Sequence, residues 1–116
     1  MQDFKQLLVW QKSHQLILEV YQKTRAFPQS EQYGLTSQLR RACASIPTNI
    51  AEGSGRKSNQ DFNRFLQISF GSAKETEYLL LFAHDLAYLS DDDYPSLNEK
   101  IIEVEKTLVG LMGKLA

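Results

Sequence analysis

Apolar residues recur three and four apart along most of the chain, and this spacing predicts four helices and no strands. Over residues 7–25, Val9, Ser13, Ile17, Val20, Thr24 and Phe27 mark one face, widened by Trp10, Leu16 and Tyr21. Phe27-Pro28 ends this segment, because proline cannot continue the helical hydrogen bonds. Over residues 31–52 the stripe is Leu35, Leu39, Ala42, Cys43, Ile46 and Ile50. Gly34 weakens the first turn there, and Thr36 or Ser37 is expected to cap a restart. Pro47 falls inside the pattern and is expected to kink or interrupt the helix. Gly53-Ser54-Gly55 ends it, since glycine readily takes the left-handed conformation of a helix stop.

A third helix is expected over residues 58–89, opened by the capping-box-like Ser58-Asn59-Gln60-Asp61. Phe62, Phe65, Leu66, Ser69, Ala73, Thr76, Leu80, Ala83 and Ala87 share one side, and Gly71-Ser72-Ala73 leave room for a close neighbour. Ser90-Asp91-Asp92-Asp93 caps the fourth, with Pro95 in its first turn. Leu97, Ile101, Val104, Leu108, Leu111 and Leu115 then form a coiled-coil-like seam. Four amphipathic segments with short connections imply an all-α protein, an antiparallel up-down-up-down four-helix bundle with a kinked second helix. The third and fourth helices carry apolar bands wider than one core needs, which implies homo-oligomerisation.

Composition narrows the class. With 116 residues, 42% of them hydrophobic, the chain makes one globular domain spanning 1–116. No apolar run is long enough to cross a bilayer, and the first residues do not read as a signal peptide. The expected setting is the cytoplasm, without membrane contact. The net charge of −1 hides a split: residues 1–74 hold ten Lys/Arg against five Asp/Glu, and 75–116 hold three against nine. Such a split serves either attraction between packed helices or a basic surface for phosphate.

Chemistry is sparse. His14 and His84 each lack a partner at metal-ligand spacing, and Cys43 lies on an apolar stripe. Asp91-Asp92-Asp93 lacks the other ligands of a calcium loop. No phosphate-loop or nucleophile-elbow pattern is present. The expectation is a non-enzyme with no catalytic residues, metal or cofactor.

The stretch 38–57 stands apart. Gln38, Arg41, Ser45, Asn49 and Glu52 form a polar stripe opposite the apolar one. It is either solvated or a buried network in which Arg41 or Glu52 meets Glu75 or Glu77. Gly53-Ser54-Gly55-Arg56-Lys57 is either a plain helix connection or a basic loop whose amides and side chains hold a phosphate. With Arg40 and Arg64 it offers a basic patch suited to backbone contact. Aromatics are not interleaved with these residues, so base stacking is not expected.

The same residues carry a family resemblance. Val9-Trp10-Gln11-Lys12-Ser13, Phe27-Pro28, Tyr33-Gly34-Leu35-Thr36-Ser37-Gln38-Leu39-Arg40-Arg41-Ala42, and above all Ser45-Ile46-Pro47-Thr48-Asn49-Ile50-Ala51-Glu52-Gly53 are its core. Gly71-Ser72-Ala73-Lys74-Glu75 and Ala87-Tyr88-Leu89 continue it. The chain resembles the bacterial four-helix-bundle proteins of intervening sequences in 23S ribosomal RNA genes, a fold shared with the accessory proteins of diversity-generating retroelements. The resemblance implies a ring-shaped homopentamer without enzymatic activity or cofactor. It also implies a partner that is RNA or another structured nucleic acid, or a protein such as a reverse transcriptase. Arg40, Arg41, Arg56, Lys57 and Arg64 are the candidate nucleic-acid contacts. Ser45, Ile46, Pro47, Asn49, Glu52 and Gly53 form the structural motif.

Overall fold

The computed structural model describes residues 3–116. Among them are four helices and no strand: α1 (Leu8–Thr24), α2 (Leu35–Ser54), α3 (Asn59–Asp85) and α4 (Asp93–Leu115). Short 3-10 turns at Phe4–Gln6 and Gln29–Glu31 precede α1 and α2. α1 packs on α2 and α4, and α3 packs on the same two helices. Each stripe read from the sequence turns inward. Leu16 and Val20, Leu39, Ile46 and Ile50, Leu66 and Leu80, and Leu97, Ile101, Val104 and Leu108 are buried together. Burying each such side chain favours folding by roughly 1.5–3 kcal/mol, so this core dominates the stability of the bundle.

The helix ends differ from expectation in instructive ways. α2 starts at Leu35, and its first amide is capped from outside the helix: Leu35 N–H donates to Glu31 Oε1 at 3.1 Å. Thr36 and Ser37 lie within the helix and cap nothing, and Thr36 is buried. Gly34 makes room for this, since a Cβ there would stand 2.6 Å from the same carboxylate oxygen. Glu31 Oε2 accepts from Tyr88 Oη at 3.0 Å, tying the start of α2 to the corner after α3. α2 runs unbroken past the buried Pro47, so the expected interruption does not occur. At its C-terminus, Gly55 has φ −86°, and no described glycine adopts a positive φ. The glycines here do not act as a left-handed stop.

The left-handed stop lies elsewhere. α3 begins as expected, with Ser58 Oγ accepting from Asp61 N–H at 3.1 Å. It ends at Asp85, short of residue 89, because Ala87 turns to φ 64°. Tyr88 N–H donates to the Ala83 carbonyl at 2.9 Å and Ala87 N–H to that of His84 at 2.9 Å, a Schellman stop. Alanine in this conformation costs about 1 kcal/mol relative to glycine. Ala87→Gly is therefore expected to raise the unfolding free energy by about that amount in urea titrations. An unchanged or lower value would show that the corner carries no such strain.

Candidate functional site

The Ser45–Gly53 string serves the contact between α2 and α3. Asn49 Nδ2 donates back to the Ser45 carbonyl at 2.8 Å and to Ser45 Oγ at 2.9 Å. Ser72 Oγ reaches across from α3 to Ser45 Oγ at 2.9 Å, and Ser69 Oγ donates to the Ile46 carbonyl at 2.9 Å. Ile46, Pro47, Ile50 and Gly53 are buried. These bonds give short polar side chains partners inside a helix contact, which fixes the register of α2 on α3. Part of the polar stripe is therefore an interhelical network. Glu52 stays exposed outside it.

The five basic candidates fall in three places. Arg40 faces α1: its Nε donates to Thr24 Oγ1 at 2.8 Å, and its guanidinium lies 4.4 Å from the centre of the Tyr21 ring. Arg41, next along the helix, faces α3 and lines a cleft with Ser45, Ser72 and Glu75. No ion pair joins Arg41 to Glu75 or Glu77, and Glu77 pairs with Lys74 at 3.2 Å. Arg56, Lys57 and Arg64 gather around the α2–α3 turn, roughly 22 Å further along α2 at 1.5 Å per residue. All three are exposed. Arg56 stacks on Phe65 at 4.5 Å, and Arg64 lies 3.5 Å from Asp61. An exposed pair of that kind contributes little, so the charge of Arg64 stays available.

The turn itself offers a phosphate fewer amides than its sequence suggests. Gly55 N–H donates to the Glu52 carbonyl at 3.2 Å and Arg56 N–H to that of Gly53 at 3.0 Å. Asp61 N–H is taken by Ser58. Three of the turn's amides are thus used internally, and the side-chain charges of Arg56, Lys57 and Arg64 stand beside those that are left.

Part of the segregated charge is used inside the fold. Lys12 pairs with Glu103 and Lys100 with Glu19, while Lys23 meets Asp93 at 3.1 Å; all three pairs bind α1 to α4. Lys74 of α3 meets Glu105 of α4 at 3.2 Å. His84 stacks on Tyr94 at 4.5 Å and bonds Asp91 at 2.8 Å, and His14 stacks on Trp10 at 4.8 Å. Burial pushes the Cys43 thiol up to about 12, which keeps it protonated and unreactive at neutral pH. Among the described residues no helix is long and apolar enough to cross a membrane.

Four helices around one apolar core, with a polar seam between α2 and α3 and a basic turn at its end, define an all-α helical protein. Residues 5–110 match the model of the 23S rRNA-intervening sequence protein family, and the chain belongs to that family. No curated protein matches it. It is similar to the crystal structure of a protein of unknown function from the S23 ribosomal protein family of Bacteroides thetaiotaomicron VPI-5482. The TM-score is 0.84 at 26% identity, covering 91% of this chain and 96% of that one.

Proposed function

We propose that this chain is a non-enzymatic, cytoplasmic protein that assembles as a ring-shaped homopentamer of antiparallel bundles, each bent at Pro47, and binds structured RNA. The observation that carries the RNA reading is the exposed cluster of Arg56, Lys57 and Arg64 at the α2–α3 turn. None of the three is spent on joining α1 or α3 to α4, as Lys12, Lys23 and Lys74 are. Three charges are a weak site alone, and repetition around a ring multiplies them into avidity. The outer side of α3 supports assembly: Ile68, Tyr78, Leu81, Phe82 and Leu86 are all exposed there. An apolar face of this kind suits a second copy, and it equally suits a protein partner if RNA does not bind.

The test is RNA binding across a salt series, with the mass of the assembly read by light scattering in the same buffers. Affinity is expected to fall steeply as salt rises. Arg56→Glu with Lys57→Glu is expected to abolish binding at moderate salt and reduce the salt slope by about 2, leaving helix content and mass unchanged. Unaltered binding by this double variant would remove the turn from the interface. Absence of binding by the intact assembly at low salt would favour the protein-partner reading.

A further inference from the structure

The cleft beside Arg41 has a composition the sequence did not reveal. It encloses about 480 Å³ between the first half of α2 and the middle of α3, and is lined by Tyr33, Gln38, Arg41, Ser45, Ser72 and Glu75. Arg41 and Glu75 are of opposite charge and share the cleft. Among the described residues neither has an ion-pair partner, although the charges between α1 and α4 are paired. Tyr33 at the rim is 92% exposed, far more than any other large apolar side chain exposed on the surface. The ring therefore makes no use of its apolar face within the fold. Tyr33 and Arg41 line the same cleft, so one ligand in it meets both.

These groups form a matched set. An arginine without a carboxylate partner presents a fork for a phosphate. An exposed tyrosine ring is a platform on which a base stacks. A carboxylate accepts from an amino group on a base edge. We propose that this cleft holds a single unstacked nucleotide of a bound RNA, with its base on Tyr33, its phosphate on Arg41 and an amino group of the base on Glu75. The inference rests on the RNA-binding reading above and assigns it a second contact, distinct from the Arg56–Lys57 turn. Guanine, adenine and cytosine carry an amino group and uracil does not. A bound guanine gives the Glu75 carboxylate two donors, N1–H and the amino group, and a bound uracil only N3–H, so the cleft favours guanine over uracil.

The experiment uses three labelled RNA hairpins that share one stem: fully paired, with one bulged guanine, and with one bulged uracil. Affinities of the full-length assembly are read by fluorescence anisotropy, and its mass by light scattering. The bulged-guanine RNA is expected to bind roughly ten-fold tighter than the paired stem, and the uracil bulge less well than guanine. Tyr33→Ala and Arg41→Gln, both at exposed positions, are expected to erase that preference while keeping mass, and Tyr33→Ala to do so without loss of stem binding. Equal affinity of the wild type for all three RNAs would overturn the cleft proposal and leave the basic-turn reading standing. A fall in assembly mass with either variant would also overturn it, by showing that a second copy covers the cleft. Failure of all three RNAs to bind would remove both readings.

Discussion

Replacing Gly53 by alanine is expected to lower the unfolding free energy by about 2 kcal/mol, as overpacking at a tight helix contact does. A Cβ at this position would stand 2.7 Å from Phe65 Cβ and 2.9 Å from Phe62 Cδ1. Phe65 Cβ is fixed to the α3 backbone and cannot rotate away, so α2 and α3 must separate. Separation would loosen the polar bonds from Ser69 and Ser72 to α2 as well. Alanine would otherwise favour the helix by ~0.5–1 kcal/mol, so the clash must exceed that gain for the sign to hold. Gly71 is the internal control. It lies in α3 with nothing within 4 Å of its would-be Cβ. Gly71→Ala should stabilise by up to about 1 kcal/mol under the same conditions. Urea titration of both variants decides the matter: a stable Gly53→Ala protein would show that the helices do not meet as closely as described.

The contrast between these glycines marks where sequence reading works and where it stops. Periodicity placed α1 and the α4 seam closely, because each helix needs one apolar stripe and Leu97, Ile101, Val104 and Leu108 supply it without ambiguity. The glycine run at 53–55 read as a left-handed stop, since local chemistry permits that role. Its actual role at Gly53 is contact with Phe62 and Phe65, and no local pattern encodes the distance between two helices. The stop fell to Ala87, a residue with no propensity for it, because the Ala83 and His84 carbonyls and the packing of Tyr88 and Leu89 fix the turn.

The candidate site was legible in the same uneven way. Lys57 and its neighbours were visible as a basic loop, because they are adjacent in sequence. The division of Arg40 from Arg41 was visible only in outline: consecutive helical residues point ~100° apart, and which neighbours they meet depends on the bundle. Tyr33 looked unconnected to any basic residue. It precedes α2, and its place beside Arg41 and Glu75 arises from the packing of α3 on α2. Glu105 gave no signal at all, being one glutamate in an acidic helix.

Glu105 is nevertheless expected to make the stability of the protein fall between pH 5 and pH 8. Its side chain is turned from α4 into the contact with α3, and the residue is only 7% exposed. One oxygen lies 3.2 Å from Lys74 Nζ, and the other, Oε2, is buried without a partner in the described structure. The groups that meet it are Glu77 and Lys74. Burial and the Glu77 carboxylate push the Glu105 carboxyl up from the ordinary 4.5 to about 7, against the opposing pull of Lys74. Glu77 is held below its ordinary value by the neighbouring Glu105 carboxyl and by Lys74. Of the two carboxyls, Glu105 is the one that holds a proton, and Glu77 stays ionised. A native pKa above the unfolded one means that the folded chain holds this proton more tightly. Its stabilising effect is complete below about pH 4.5 and is lost as pH rises through 7. The loss is on the order of 2–3 kcal/mol, because each pKa unit corresponds to about 1.4 kcal/mol, and Glu77, ionised throughout this window, leaves it unchanged. Glu105→Gln keeps a donor toward Glu77 without a titrating charge. It should flatten the decline and be more stable than the wild type at pH 8. Urea titrations at half-unit pH steps measure this directly, and parallel pH profiles for the two proteins would show that Glu105 stays ionised in the contact.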